Sequence, residues 1–411
     1  MSMSKSSRIA RATALASLGL LAIALVVTPL ASAAGPTWSV VRNVADGGRP
    51  SAGSSIATTK SSTTRYLHAT WRQGAGKVRF ARSANGGVTW TSSRVLGNTT
   101  MVFGEPSVAT SGNDVWVAWA RTYEDPDTGT PGMGIKVRHN GAHGASSAWG
   151  QDIRLTSTSG DVRAPSIAVS NGGESIFVIF SDLRNDTTRL IYSHDGGHAW
   201  TSAIVGTGFD EDAEGVPTTI PVVAAAGNNV IVGWLAEGNL AMARTSTDGG
   251  DHWSDEAEVG EGLSSASALG ARLAIAGRGE EGPWLRVWQS GEWSDLRAIP
   301  EITLEGETAT AVQLDVALNT EGRVGVAYSA QVDVDEETAD TWEEITWFTS
   351  ANDGVAWSGP TRVSRAGSET QAFNADRPSV VWLASGRLWI SWLQEKASAP
   401  GTSFFALRER S

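Results

Sequence analysis

From about residue 50 to residue 410 the chain is divided into short apolar runs separated by turns rich in Gly, Ser, Asn and Asp. No long segment keeps helical spacing. One kind of run is a short strand ending in an aromatic: Trp116-Val-Ala-Trp119, Phe177-Val-Ile-Phe180, Ile231-Val-Gly-Trp234, Val324-Gly-Val-Ala-Tyr328 and Trp389-Ile-Ser-Trp392. A second kind precedes it: Pro106-Ser-Val-Ala109, Pro165-Ser-Ile-Ala168, Pro221-Val-Val-Ala224 and Pro378-Ser-Val-Val381. Looser copies are Ser54-Ser-Ile-Ala57, Leu273-Ala-Ile-Ala276 and Leu314-Asp-Val-Ala317. A third run follows, such as Lys77-Val-Arg-Phe80 or Ile135-Lys-Val-Arg138, and then one more strand. Runs of this length, bounded by turn residues, predict four strands per repeating unit.

The turn between the third and fourth strands has its own frame. Ser83, Asn85, Gly87 and Trp90 recur as Ser193, Asp195, Gly197 and Trp200. They recur again as Ser246, Asp248, Gly250 and Trp253, and as Ser350, Asn352, Gly354 and Trp357. Asn or Asp folds its side chain back onto nearby backbone N–H groups. Gly supplies the positive φ of a tight turn. Trp brings a large apolar ring to the blade. The unit near residue 140 keeps Asn140, Gly141 and Trp149 with extra residues between, and another shortens the turn to Gln289-Ser-Gly-Glu-Trp293.

The second kind of run begins near 54, 106, 165, 221, 273, 314 and 378, which gives seven units. The last reaches the C-terminus without a turn of this kind. Pro36-Thr-Trp38 and the residues after it look like the missing end, so the N-terminal strand is expected to complete the last blade and remove an open sheet edge. The expected fold is an all-β propeller of four-stranded blades, seven of them, with six as the alternative. The turn frame is the signature of the Asp-box, or BNR, repeat, and the chain resembles the Asp-box propellers, the superfamily that contains sialidases.

Composition adds compartment and charge. Lys5, Arg8 and Arg11 precede an uncharged run from Ala12 to Leu30, and Ala31-Ser-Ala33 follows. That is the layout of a secretory signal peptide over residues 1–33, leaving 34–411 as one propeller domain. An uncleaved anchor is the alternative. There is no cysteine, so no disulfide framework. Gly and Trp are abundant, at 46 and 18, as expected of aromatic strands joined by tight turns. The net charge of −12 grows more negative once the leader is removed, which argues against nucleic acid as partner. The expected product is an extracellular monomer, free of the membrane after cleavage.

In a propeller the repeated turns share one face with the turns joining first and second strands. The other face carries loops 120–134, 181–189, 207–220, 301–312, 330–344 and 365–377. There carboxylates far outnumber Arg121, Arg184, Arg189, Arg365 and Arg377. Asp125-Pro-Asp127, Asp210-Glu-Asp212-Ala-Glu214 and Asp333-Val-Asp335 could hold calcium, although none forms a full EF-hand-type loop. No other cofactor is expected. Arg49, Arg163 and Arg377 stand where first strands begin, and an anion would meet them near the axis.

The resemblance implies ligand binding on this loop face and a scaffold role for the repeated turns. Val162-Arg163-Ala-Pro165 resembles the Phe-Arg-Ile-Pro motif of sialidases, with Phe and Ile replaced. Phe180-Ser-Asp182-Leu-Arg184-Asn-Asp186 resembles the segment after it. By that match Arg163 and Arg184 clamp a substrate carboxylate, Asp182 lies beside them and Asp186 is the acid. Tyr328 is the candidate nucleophile, but it closes a strand where other blades carry core aromatics, and no partner glutamate matches. The leading reading is a propeller binding a glycan, peptide or cell-surface polymer. The alternatives are a sialidase-like glycoside hydrolase and an extracellular assembly scaffold.

Overall fold

A computed structural model describes residues 38–39, 42–44, 50–74, 76–98, 105–124, 129, 131–157, 161–208, 220–304, 306–335, 340–364, 373–383, 386–396 and 403–410. Seven antiparallel sheets form seven blades. The first is Pro50–Lys60, Arg65–Gln73, Lys77–Ser83 and Arg94–Asn98. The second is Ser107–Ser111, Asp114–Glu124, Pro131–Asn140 and Ile153–Arg154, and the third Val162–Ser170, Ser175–Asp182, Thr187–Ser193 and Thr201–Thr207. The fourth is Val222–Ala226, Asn229–Ala236, Leu240–Ser246 and Ala257–Glu261. The fifth is Leu263–Leu269, Arg272–Gly279 and Gly282–Gln289, with an outer strand broken into Glu292–Trp293 and Arg297–Ala298. The sixth is Thr310–Leu318, Val324–Asp335, Asp340–Ser350 and Ser358–Arg362. The seventh is Phe373–Trp382, Leu388–Lys396 and Ser403–Arg410, with Arg42–Asn43 as its outer strand. In chain order within each blade these are strands a to d. The N-terminal strand in the seventh blade is d. Each strand a contacts that of the next blade, and the seventh meets the first, which closes the ring.

One inner strand differs from expectation. Leu273-Ala-Ile-Ala276 belongs to strand b of the fifth blade, and strand a is Leu263–Leu269. That strand reads Leu-Ser-Ser-Ala-Ser-Ala-Leu, a composition that resembles a turn, while the strand b beside it lacks the usual closing aromatic.

The core lies between blades, with apolar clusters drawing on adjacent sheets. Three tryptophans show the mode of packing. A Cβ on Gly97 would meet Trp119, one on Gly206 would meet Trp234, and one on Gly260 would meet Trp284. Each glycine is on strand d of one blade and each ring on the next, so the missing side chain lets an indole pack against its neighbour's outer strand.

The repeated turns form closed hydrogen-bond nets. Ser193 Oγ donates to Asp195 Oδ1 over 2.8 Å and accepts from Gly197 N at 2.9 Å. The same Asp195 oxygen accepts from His198 N and Ala199 N, each at 2.9 Å. Ser83, Ser246 and Ser350 repeat the pattern with Gly87, Gly250 and Gly354. In the second blade Asn140 replaces Ser rather than the following Asn or Asp: its Oδ1 accepts from Ala142 N and Gly144 N. The tryptophans reach back to the preceding blade. Trp200 meets Trp116 edge-on at 6.1 Å between centroids, Trp149 meets Phe80 at 4.8 Å, and Trp357 Nε1 donates to Ala298 O.

Candidate functional site

Strand a of every blade lines an axial channel of about 810 Å³. Its wall is held by side chains at one recurring position. Ser379 Oγ accepts from Ile56 N at 3.2 Å, Ser55 Oγ from Val108 N at 3.2 Å, Ser107 Oγ from Ile167 N at 3.3 Å and Ser265 Oγ from Val316 N at 3.3 Å. The second residue of the Pro-Ser-Val-Ala run therefore joins neighbouring blades around the axis. In the sixth blade that residue is Asp315, whose Oδ2 accepts from Val380 N at 2.6 Å and whose Oδ1 accepts from the Ser265 hydroxyl. Burial pushes this carboxyl up to about 6, against those hydrogen bonds. Repetition of the run signalled the position; the one acidic copy, in Leu314-Asp-Val-Ala317, was the sign of a different chemistry.

At the loop-face mouth Arg377 and Glu105 form an ion pair through Nη1 and Oε1. Burial lowers the Arg377 guanidinium, and neighbouring Arg72 lowers it further. Arg377 thus stands between the Glu105 carboxylate and a second guanidinium, while the exposed acids Glu301 and Glu307 lie outside the channel lining. Glu105 and Arg72 were not singled out in sequence; Glu105 precedes the Pro106 run and Arg72 follows the buried Trp71.

Arg377 and Arg163 are not equivalent. Pro165 and Pro378 follow residues of positive φ, Ala164 at 54° and Arg377 at 55°, and the register shifts at both places. Arg377 thus matches Ala164, and Arg163 matches Asp376. Arg163 does not line the channel, and its Nε lies 3.3 Å from Asp161 Oδ1. Arg49 lies outside the described residues.

The remaining candidates spread out. Asp182 is buried, accepts from Asn185 Nδ2 at 2.9 Å and lies 3.4 Å from Arg189 Nη1, so it braces the b–c turn of the third blade. Arg184 and Asp186 are exposed on that turn, Asp186 with φ 48°. Tyr328 is fully buried, stacks on Phe348 and donates its hydroxyl to Pro300 O at 2.8 Å. Burial raises its phenol far above the ordinary value. It is part of the core between the fifth and sixth blades and does not line the channel. Glu344, read in sequence only as one of the loop-face carboxylates of 330–344, is also buried. Burial pushes it up to about 7, and Arg362 Nε at 3.1 Å opposes the shift. Of the calcium candidates, residues 125–127 and 210–214 lie outside the described residues, and only the backbone of Asp333–Asp335 is described. Among the described residues no helix is long and apolar enough to cross a membrane.

No family model and no curated protein matches the chain. Among solved structures it is similar to Trypanosoma rangeli sialidase, at 13% identity and a TM-score of 0.51 over 90% of this chain and 55% of that one. The complex of that sialidase with sialic acid gives 12% identity and 0.50, over 91% and 58%. A mutant NanB sialidase from Streptococcus pneumoniae gives 8% and 0.50, over 90% and 70%. The chain spans little more than half the length of the T. rangeli structures. At such identities the likeness is one of fold alone, a β-propeller.

Proposed function

We propose that this chain is an exported Asp-box propeller of the sialidase superfamily, with residues 1–33 as its removable leader. It binds an anionic group of a glycan, peptide or cell-surface polymer at the loop-face mouth of the channel, and does not cleave it. The pair of neighbouring guanidiniums at the mouth carries this reading: Arg377, which lines the channel, has Arg72 beside it, and planar forks of this kind suit a carboxylate. The placement of the tyrosines favours binding over hydrolysis. Tyr328 is core, and none of the four lines the channel. A sialidase-type nucleophile must stand within reach of the anomeric carbon with a base beside it.

The test is a screen of the purified protein against charged and neutral glycans, with a fluorogenic sialoside assayed in parallel. Binding of acidic glycans without turnover is expected. Arg377→Gln should weaken that binding about tenfold, the scale of one lost charge-assisted hydrogen bond. Efficient release of sialic acid would overturn the proposal.

A further inference from the structure

The box face, opposite the proposed mouth, carries a second charge feature. On the sixth, seventh and first blades it presents Arg323, Arg410, Arg387, Lys60, Arg65 and Arg82, all at a–b turns or at the ends of strand c. The described carboxylates beside them are few. Glu321 is 3.5 Å from Arg323, Glu409 pairs with Arg387, and Asp353 is taken by Arg272 of the fifth blade. The repeated turn of the first blade has Asn85 where the third and fourth blades have Asp195 and Asp248, so it adds no negative charge.

These cations lie on three successive blades, and several are near neighbours. Arg387 Nη2 lies 3.9 Å from the Cβ position of Gly86, in the turn of the first blade. Trp389 ties that turn to the seventh blade by donating from Nε1 to Gly86 O. Arg82 then reaches the second blade, donating from Nη1 to His143 O at 3.1 Å. The crowding has a cost. Burial and the nearby Arg387 charge lower Arg65, and burial and Arg323 lower Arg410. Like charges that outnumber the carboxylates beside them are relieved by a polyanion.

We propose that this arc of three blades is a binding surface for an acidic polysaccharide, whose successive carboxylates run along the box face from the sixth blade to the first. Five of the six cations are arginines, whose planar forks suit carboxylates. Their aromatic neighbours are already covered: Arg82 lies 4.9 Å over Tyr66, Arg387 5.3 Å over Trp389 and Arg410 6.0 Å over Trp38. Those faces do not serve as stacking platforms for nucleic-acid bases. A linear, flexible chain follows an arc of turns that a flat membrane would touch only in part.

The experiment measures binding of polygalacturonate to the full protein at low and raised salt, with neutral dextran, a single-stranded oligonucleotide and anionic vesicles alongside. Polygalacturonate is expected to bind best, and salt should weaken it. Lys60→Glu combined with Arg65→Glu should reduce affinity about tenfold or more, and the exposed Lys60→Glu alone by less. Lys77→Glu, the same charge change on the loop face, should leave it intact. Arg377→Gln should also leave it intact, which separates this surface from the mouth. Absence of polygalacturonate binding at low salt, equal loss in Lys77→Glu, or tighter binding of the oligonucleotide or vesicles would overturn the proposal.

Discussion

Asp315 occupies a position that five other blades give to serine, at Ser55, Ser107, Ser166, Ser265 and Ser379. A neutral hydroxyl makes the inter-blade hydrogen bond at little desolvation cost, whereas a buried carboxylate must be stripped of water. Its value in the fold, about 6, lies above the ordinary 3.8. The folded state therefore holds the proton more tightly than the unfolded chain. The stability this gives is fully present below about 4 and is lost as pH rises through about 6. Two units correspond to about 3 kcal/mol. Glu344, pushed up to about 7, adds a second component of the same sign. Asp315→Asn should therefore melt higher than wild type at neutral pH, with the difference vanishing toward pH 4. A constant difference across that range would show that Asp315 does not titrate there. Tyr328 gives a second residue-scale prediction. Tyr328→Phe removes one hydrogen bond to Pro300 O, so denaturant unfolding should show a loss of about 1 kcal/mol. Ligand binding at the mouth should be unchanged, and a large loss of binding would place the phenol at the site.

At the scale of the element, the repeated turn works as an inter-blade tie. The ring of Trp200 packs on Trp116 of the blade before it, and its Nε1 donates to Gly197 O at 3.0 Å. The ring is only part-buried, so Trp200→Ala should cost about 3 kcal/mol, the low end for a truncated aromatic. Melting like wild type would show that the tie is idle. Strands and turns of this kind were legible because each repeats a local rule: an apolar run, a side chain capping its own turn, a glycine at positive φ. Legibility failed where local composition and place in the sheet part company. Leu263–Leu269 is an inner strand made of Ser and Ala because its side chains face the narrow channel and the next blade rather than a wide core. The candidate site was less readable still. Arg163 and Arg377 look equivalent near their prolines, yet Arg377 holds the left-handed position that Ala164 holds in the third blade, and Arg163 stands one residue earlier, where successive strand positions face opposite sides. The acid Glu105, which pairs with Arg377 at the mouth, carries no motif of its own.

At the scale of the whole molecule, the ring is held shut by a few N-terminal residues. Arg42 pairs with Leu407 and Asn43 with Ala406, while Trp38 bridges to Arg410. Ser39 N donates to Glu409 O at 2.8 Å, Glu409 N donates to Ser39 Oγ at 3.0 Å, and Arg408 Nε donates to Ser39 O at 2.6 Å. Val44 is buried in the cluster that joins the seventh blade to the first. Cleavage after Ala33 would leave all of these contacts in place. A chain beginning at Asp46 would lose them, together with the outer strand of the seventh blade. Burial of Val44 and part of Trp38 alone is worth about 3 kcal/mol. The strand Ser403–Arg410 would then present a free edge, which favours pairing with a second copy. The shortened protein should melt at lower temperature than one beginning at Ala34. It should also run as a larger species in size-exclusion chromatography at high concentration. Equal melting and an unchanged elution volume would mean that the ring closes without its N-terminal strand.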